Sequence, residues 1–269
     1  MKEKIYTIPL NDAVNAQDEC PFCFIERKLE RDTLDFVLGN SSSYMESDVR
    51  EDTDKAGFCR THFQKMFDYG NTLGNAWILK THYERKQKEL QAIFKAHTPA
   101  KAGFKLFGKQ PETTNSIVDW IKKEKTSCYI CDKFNATYDR YMDTFFYMYT
   151  GDPDFRKRIL ESKGFCITHF GDLCAAADSR LKEKDLAVFY REMEKLMTGN
   201  LDRLHEDVAW LVNKFDYRYK DADWKNSKDA IQRGMQKLKA VILQMDHTNQ
   251  SFKCIKYFSF LQNKIIIIT

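Results

Sequence analysis

Glycine and proline are scarce in this chain, 11 and 5 among 269 residues. That scarcity removes the breakers a sandwich or barrel needs at every turn and lets long periodic segments run as helices. No apolar run approaches the roughly 18–20 residues of a membrane span. The opening MKEKIYTIPLNDAVN has no continuous apolar core of the signal-peptide kind, so the expectation is a cytoplasmic protein without a membrane partner. No GxxxxGK[ST], GxGxxG or HExxH occurs, which removes the common phosphate-cradling and zinc-protease readings. Charge of one sign is also lacking: 43 basic against 39 acidic residues, intermixed along the chain, argue against a nucleic-acid surface.

What is present is an apolar share of 43% with 20 Phe, 13 Tyr and 4 Trp, enough to build a core without staples. Eight cysteines accompany it, and six of them fall into a pattern that occurs twice. Cys20-Pro-Phe-Cys23 is followed by Gly57-Phe58-Cys59-Arg60-Thr61-His62-Phe63. Cys128-Tyr129-Ile130-Cys131 is followed by Gly164-Phe165-Cys166-Ile167-Thr168-His169-Phe170. Between the CxxC and the next cysteine lie 35 residues in the first copy and 34 in the second.

Thiolates and imidazole are soft to borderline donors that suit zinc or iron–sulfur chemistry and disfavour calcium and magnesium. A CxxC turn lets two sulfurs reach one ion, and CxxH at a helix start likewise turns two side chains one turn apart toward the same point. Helix N-termini also favour the charged thiolate. Taken in chain order, Cys20, Cys23, Cys59 and His62 are expected to bind one ion, and Cys128, Cys131, Cys166 and His169 a second. Two Zn²⁺ per chain is the expected content, with an iron–sulfur cluster as the alternative. Four protein ligands close a tetrahedral zinc, so the expected role is structural. In a reducing compartment the paired cysteines read as metal ligands rather than disulfides. Gly57 and Gly164 are expected to turn the backbone tightly beside each ion, with the flanking phenylalanines as a dry wall.

Overlaying the motifs predicts an all-α, internally duplicated fold. A first helical repeat spans 1–97, a linker 98–115, and a second repeat 116–216. The segment 217–243 is expected to pack a C-terminal helix on the repeats, the helix running from about Asn226 or Ser227 to Leu243, and an atypical, disordered tail of high β-propensity covers 244–269. After each CxxC a helix is expected, most clearly along Phe134, Tyr138, Tyr141, Met142, Phe145 and Met148. Each CxxH opens a long amphipathic helix, the first carrying Phe63, Met66, Phe67, Leu73, Trp77, Tyr83 and Leu90. The second carries Phe170, Leu173, Cys174, Leu181, Phe189 and Met193, is interrupted at Gly199-Asn200, and resumes through Phe215. These stripes read as core faces. In Gly70-Asn71-Thr72-Leu73-Gly74-Asn75 the small residues allow a close helix crossing, and the asparagines cap or cross-link helices. Cys174 reads as a small core residue. Cys254 lies in the tail, and His82, His97, His205 and His247 follow no repeated spacing.

Catalysis finds little support. A thioredoxin-like exchange at Cys20-Pro-Phe-Cys23 lacks a βαβ setting and leaves Cys59 and His62 without a task. Glu26, Asp48, Glu51, Asp54 and Glu161 read as solvated charge. The expected function is therefore a zinc-binding structural or protein-interaction module rather than an enzyme, with an unspecified protein partner. The competing class is a thiol-based redox or metal sensor.

CPFCFIERKLERDTLDFVLG, DKAGFCRTHF, GNTLGNAWILKTHYE, CYIC, GFCITHF and FDYRYKDADWKNSKDAIQR together resemble the bacterial family DUF6062, whose function is unknown. The resemblance covers about 1–240 and ends before the IIIIT tail. It implies no activity, so the metal reading rests on the residues.

Overall fold

The computed structural model describes residues 4–41, 43–96 and 115–240. The linker expected at 98–115 (Asn115 apart), the tail at 244–269, His97, His247 and Cys254 lie outside them. Among the described residues the protein is all-α, with eleven α-helices and two short 3-10 turns.

The chain opens with α1 (Lys4–Asn15) and α2 (Pro21–Leu38), the latter beginning on a proline whose missing N–H is no loss at that position. Then come α3 (Ser47–Ala56), α4 (Arg60–Tyr69) and α5 (Thr72–Ala96). After the undescribed stretch follow α6 (Ser116–Thr126), α7 (Tyr129–Gly151) and α8 (Pro153–Leu160). The last three are α9 (Ile167–Arg180), α10 (Glu183–Asn213) and α11 (Ala230–Lys239).

Local chemistry explains the boundaries. Asn115 caps α6 by accepting from the amides of Ile117 and Val118. Asp152 does the same for α8, taking the amides of Asp154 and Phe155 at 3.0 Å. Gly70, at φ 84° in the left-handed region, ends α4. The long helix expected after the first CxxH is thus two helices, and Asn71 starts the second. Its Oδ1 accepts from the Gly74 amide at 2.9 Å while its Nδ2 donates to Leu38 O, tying α5 to the end of α2. A methyl group on Gly74 would sit 3.1 Å from Leu38 Cδ2, so the close crossing expected of this segment is real. Asn75 adds a bond to Met66 O at 2.8 Å.

The second long helix differs from expectation in the opposite sense. It breaks at Leu181-Lys182, and α10 then runs through Gly199-Asn200 without interruption. Asn200 is satisfied inside the helix, donating to Leu196 O at 2.9 Å, so it offers the backbone no reason to turn. α11 begins at Ala230 rather than near Asn226: the Asn226 carbonyl is taken by the Arg233 side chain, the Ser227 hydroxyl bonds back to Trp224 O, and Asp229 is the N-cap residue. Buried Lys214 donates to the carbonyls of Tyr219, Lys220 and Ala222 at 2.6–2.9 Å. Several stripe residues expected in the core are exposed, among them Phe67, Leu73 and Tyr83.

The described residues divide into two compact units, one built from 4–16 with 24–156 and the other from 17–23 with 157–240. Neither is a continuous stretch of chain. In the first, Val37, Leu38, Phe58, Met66, Ile78 and Ile130 form one buried cluster. Each such side chain contributes roughly 1.5–3 kcal/mol on burial. α1 packs on α7 there, with Tyr6 edge-on to Tyr141 at 5.2 Å. In the second unit α11 packs on α9 and α10, and Phe22, Phe165, Leu173, Phe189 and Met193 are buried.

Candidate metal centres

The four cysteine motifs all stand at helix N-termini. Cys59, Cys166 and Cys128 are the N-caps of α4, α9 and α7, and Cys20 directly precedes α2. The amide ends of four helices therefore face sulfur, which favours thiolates there.

These motifs assemble crosswise. Cys20 and Cys23 meet Cys166 and His169; Cys59 and His62 meet Cys128 and Cys131. The in-order grouping expected from the sequence, Cys20 and Cys23 with Cys59 and His62, and Cys128 and Cys131 with Cys166 and His169, is corrected on this point. All eight side chains fall into two tetrads, but each CxxC is matched to the CxxH of the other motif copy. Each tetrad lies wholly within one unit.

The physical reason is visible just upstream of the ligands. The Tyr129 amide donates to Gly57 O at 2.9 Å, and Ser127 Oγ donates to Ala56 O at 2.7 Å. These bonds lay the approach to Cys128 beside the approach to Cys59. At the other tetrad Lys237 takes that role. Its ammonium donates to Glu19 O at 2.6 Å and to Lys163 O, joining the residue before Cys20 to the residue before Gly164. The rings of Phe22 and Phe165 pack 6.1 Å apart beside it, and Phe22 lies 6.0 Å from the His169 ring. Gly57 and Gly164 have φ of 63° and 71°, the conformation expected of them, which glycine adopts at no steric cost.

The dimensions match a single tetrahedral ion. Zn–S near 2.3 Å and Zn–N near 2.0–2.1 Å place ligand atoms about 3.8 Å apart for two sulfurs and about 3.6 Å for sulfur and nitrogen. In the first tetrad Cys23 and Cys166 sulfurs are 3.7 Å apart, and His169 Nδ1 lies 3.4, 3.4 and 3.2 Å from Cys20, Cys23 and Cys166. In the second, Cys59 and Cys131 sulfurs are 4.0 Å apart, and His62 Nδ1 lies 3.3, 3.2 and 3.4 Å from Cys59, Cys128 and Cys131. Both histidines present Nδ1 to the sulfurs.

His62 carries its other nitrogen to a carboxylate. Nε2–H donates to Glu30 Oε1 at 3.1 Å, and Lys65 donates to the same carboxylate. A carboxylate behind a ligating imidazole fixes its tautomer and raises its basicity. Sequence reasoning missed Glu30, which sits on the helix after Cys23 yet serves the tetrad containing Cys59. It missed Glu19, Ser127 and Lys237 as well. None follows a motif spacing, so no signal marked them.

Hydrogen bonding distributes protons unevenly within each tetrad. Burial pulls His62 down, but bonds with Cys128 and Glu30 outweigh it and hold the ring at about 10. Burial would raise Cys128, yet bonds from His62 and nearby amides bring it down to about 6, while burial and Cys128 push Cys131 up to about 12. Against burial, His169 is held at about 10 by Cys166 and Cys20. Bonds from Cys20 and Cys23 hold Cys166 far below the usual thiol range, and Cys166 in turn holds Cys23 far above it. Full ligation of an ion would require the remaining protons to leave, which would couple metal binding to pH.

The two centres differ in access. Cys20, Cys23 and Cys166 have 0% exposure, whereas Cys59 and Cys131 are only partly buried. The other sequence candidates stand apart. Cys174 is half-buried, its thiol raised by burial. His82 bonds to Asp54 O at 3.1 Å, His205 is exposed, and Asp54 accepts from Thr81. Among the described residues none of the flagged carboxylates enters a metal-sized group.

The described residues define a class: an all-helical protein with two Cys/His groups among them that could hold metal ions. The chain belongs to the family of unknown function DUF6062, whose profile matches residues 1–245. No curated protein and no solved structure matches it.

Proposed function

We propose that this protein is a zinc-binding structural module in which two Cys₃His centres pin four helix N-termini together in pairs. One observation carries the reading: both tetrads have sulfur–sulfur and sulfur–nitrogen separations close to those of one tetrahedral zinc. All ligand atoms of each tetrad lie within 4.8 Å of one another. That spacing supports a single ion over an iron–sulfur cluster, whose inorganic sulfides would hold the protein sulfurs further apart. Four protein ligands leave no position for substrate, which supports a structural role over catalysis. A reducing, cytoplasmic setting keeps such thiolates available; among the described residues no helix is long and apolar enough to cross a membrane. Exposed Phe67, Leu73 and Tyr83 support an additional role in binding a protein partner.

A second reading has its own support. The half-buried sulfurs of Cys59 and Cys131 make that centre the accessible one, which favours oxidant or metal sensing there over the closed centre. Metal and acid-labile sulfide analysis of protein purified without oxygen tests both readings. Two zinc per chain and no sulfide is the expected result. If mild peroxide then releases one zinc of the two, the sensor reading gains; release of neither leaves the structural reading alone. Absence of metal after gentle purification overturns the proposal.

A further inference from the structure

The segment FDYRYKDADWKNSKDAIQR has no part in either tetrad, yet it is among the most tightly built loops of the chain. Lys214 gathers three of its carbonyls, as described above, and the Lys214 ammonium also lies 4.9 Å from the Trp224 ring. Trp210 Nε1 donates to Asp223 O at 2.9 Å, and the Lys225 amide donates to Asp223 Oδ1 at 3.1 Å. Lys225 is held at φ 50°, with its ammonium 4.0 Å from the centre of the Trp210 ring. A loop so over-determined holds its outward side chains in fixed places.

Those side chains line a cavity of about 430 Å³. Lys225 and Lys228 come from the loop, Lys163 from the segment before Cys166, Arg203 from α10 and Arg233 from α11. Against these five cations stand Asp207 and Asp229, an excess of three positive charges. Beneath the arginines, Glu19 and Lys237 are both buried and face each other at 3.4 Å, so they cancel.

The arginines are committed. Arg233 donates to Asp229 and Asp207 at 2.9 Å each and to Asn226 O, and Arg203 donates to Glu19 at 2.6 Å. They act as a rigid positive floor. The lysines keep capacity: Lys163 makes one bond, to Gln17 O, and Lys225 rests on an aromatic face. Asp229 is the N-cap residue of α11, but its side chain makes no cap bond and is instead held by Arg233.

We propose that this cavity binds a phosphate group, carried by a small phosphomonoester or as the free ion. Three lysines above a floor of two arginines act as point charges that suit a dianion with more than two acceptor oxygens. The volume falls within the range of small-ligand sites and leaves room for an organic body beyond the phosphate.

Calorimetric titration of the full chain with inorganic phosphate and, separately, with ribose 5-phosphate tests this, with indole emission recorded in parallel. The expected result is saturable binding that weakens as salt rises. Emission should change as Lys225 shifts from Trp210, and this change should vanish in Trp210→Phe. Lys228→Gln and Lys225→Gln should each weaken binding roughly tenfold, the equivalent of one good charge-assisted contact. Tighter binding of ribose 5-phosphate identifies an organic phosphate as the ligand class, and equal binding identifies the free ion. No saturation by either titrant at about 10 mM, or binding unchanged in both lysine variants, overturns the proposal.

Discussion

Ser127 donates its hydroxyl to the carbonyl of Ala56 at 2.7 Å, joining the residue before one CxxC to the residue before the Gly-Phe-Cys of the other motif copy. Lys237 makes the corresponding join at the second tetrad by bridging Glu19 O and Lys163 O. One site closes through a short neutral hydroxyl, the other through a buried ammonium from a remote helix. Their replacements should differ in consequence. Ser127→Ala should lower stability by about 1 kcal/mol, the net worth of a hydrogen bond. Lys237→Met leaves the buried carbonyls of Glu19 and Lys163 without their donor, while the Glu19 carboxylate keeps Arg203, and should cost about 2–5 kcal/mol at roughly 1–3 kcal/mol per unsatisfied group. Urea unfolding of the two variants beside wild type reads both figures, and equal small losses would refute the bridging role of Lys237.

Crossed pairing has a stoichiometric signature. Cys23→Ser should remove one ion from the chain, and Cys23→Ser/Cys166→Ser should remove the same one and no more. Cys23→Ser/Cys59→Ser should remove both. Under in-order pairing the last two results would exchange, so metal content of three variants decides the matter.

Glu30 supports one centre alone. Glu30→Ala should weaken metal affinity at the tetrad containing His62 about 10–100-fold and leave the other tetrad at wild-type affinity. Competition with a chromophoric chelator, read as two separate release steps, checks this. Equal weakening of both steps would show that the carboxylate acts on the fold as a whole.

His82 lies behind Gly57, where a methyl group on that glycine would meet its ring at 2.9 Å. Burial, reinforced by Lys86, holds its pKa below the ordinary 6.5. The unfolded chain therefore binds a proton before the folded chain does. The contribution of neutral His82 is fully present above about pH 6.5 and declines as pH falls from there toward the depressed value. His82→Gln cannot titrate, so its melting temperature should fall less steeply than wild type between about pH 7 and about pH 5. Parallel melting curves on metal-loaded protein check this, since acid release of metal affects both proteins alike.

Helix content and the eight candidate ligands were legible because their signals are local. Scarce glycine and proline, the apolar period along Tyr141, Met142, Phe145 and Met148, and ligand spacings of three residues each depend on one turn of chain. Ligand partnership was not legible. Both groupings use the same residue types, and the nearly equal spacings of 35 and 34 residues make the in-order choice look natural. What decides between them are bonds such as Tyr129 to Gly57, which no spacing encodes. The same holds for Gly199, where composition suggested a break but Asn200 turned its side chain back onto the helix. The start of α11 was hidden in a similar way, since the Asn226 carbonyl goes to the Arg233 side chain and the Ser227 hydroxyl bonds back to Trp224 O.

Because the partners are crossed, the tetrads are nested along the chain: the span from Cys59 to Cys131 sits inside the span from Cys20 to His169. A single cut anywhere from 97 to 114 would yield two fragments with four ligands apiece, and neither would own a complete site. Each fragment would carry half of both, so the pieces could regain their centres only by associating with one another. Metal would then act as the glue of a split protein, and its removal would make reassembly reversible.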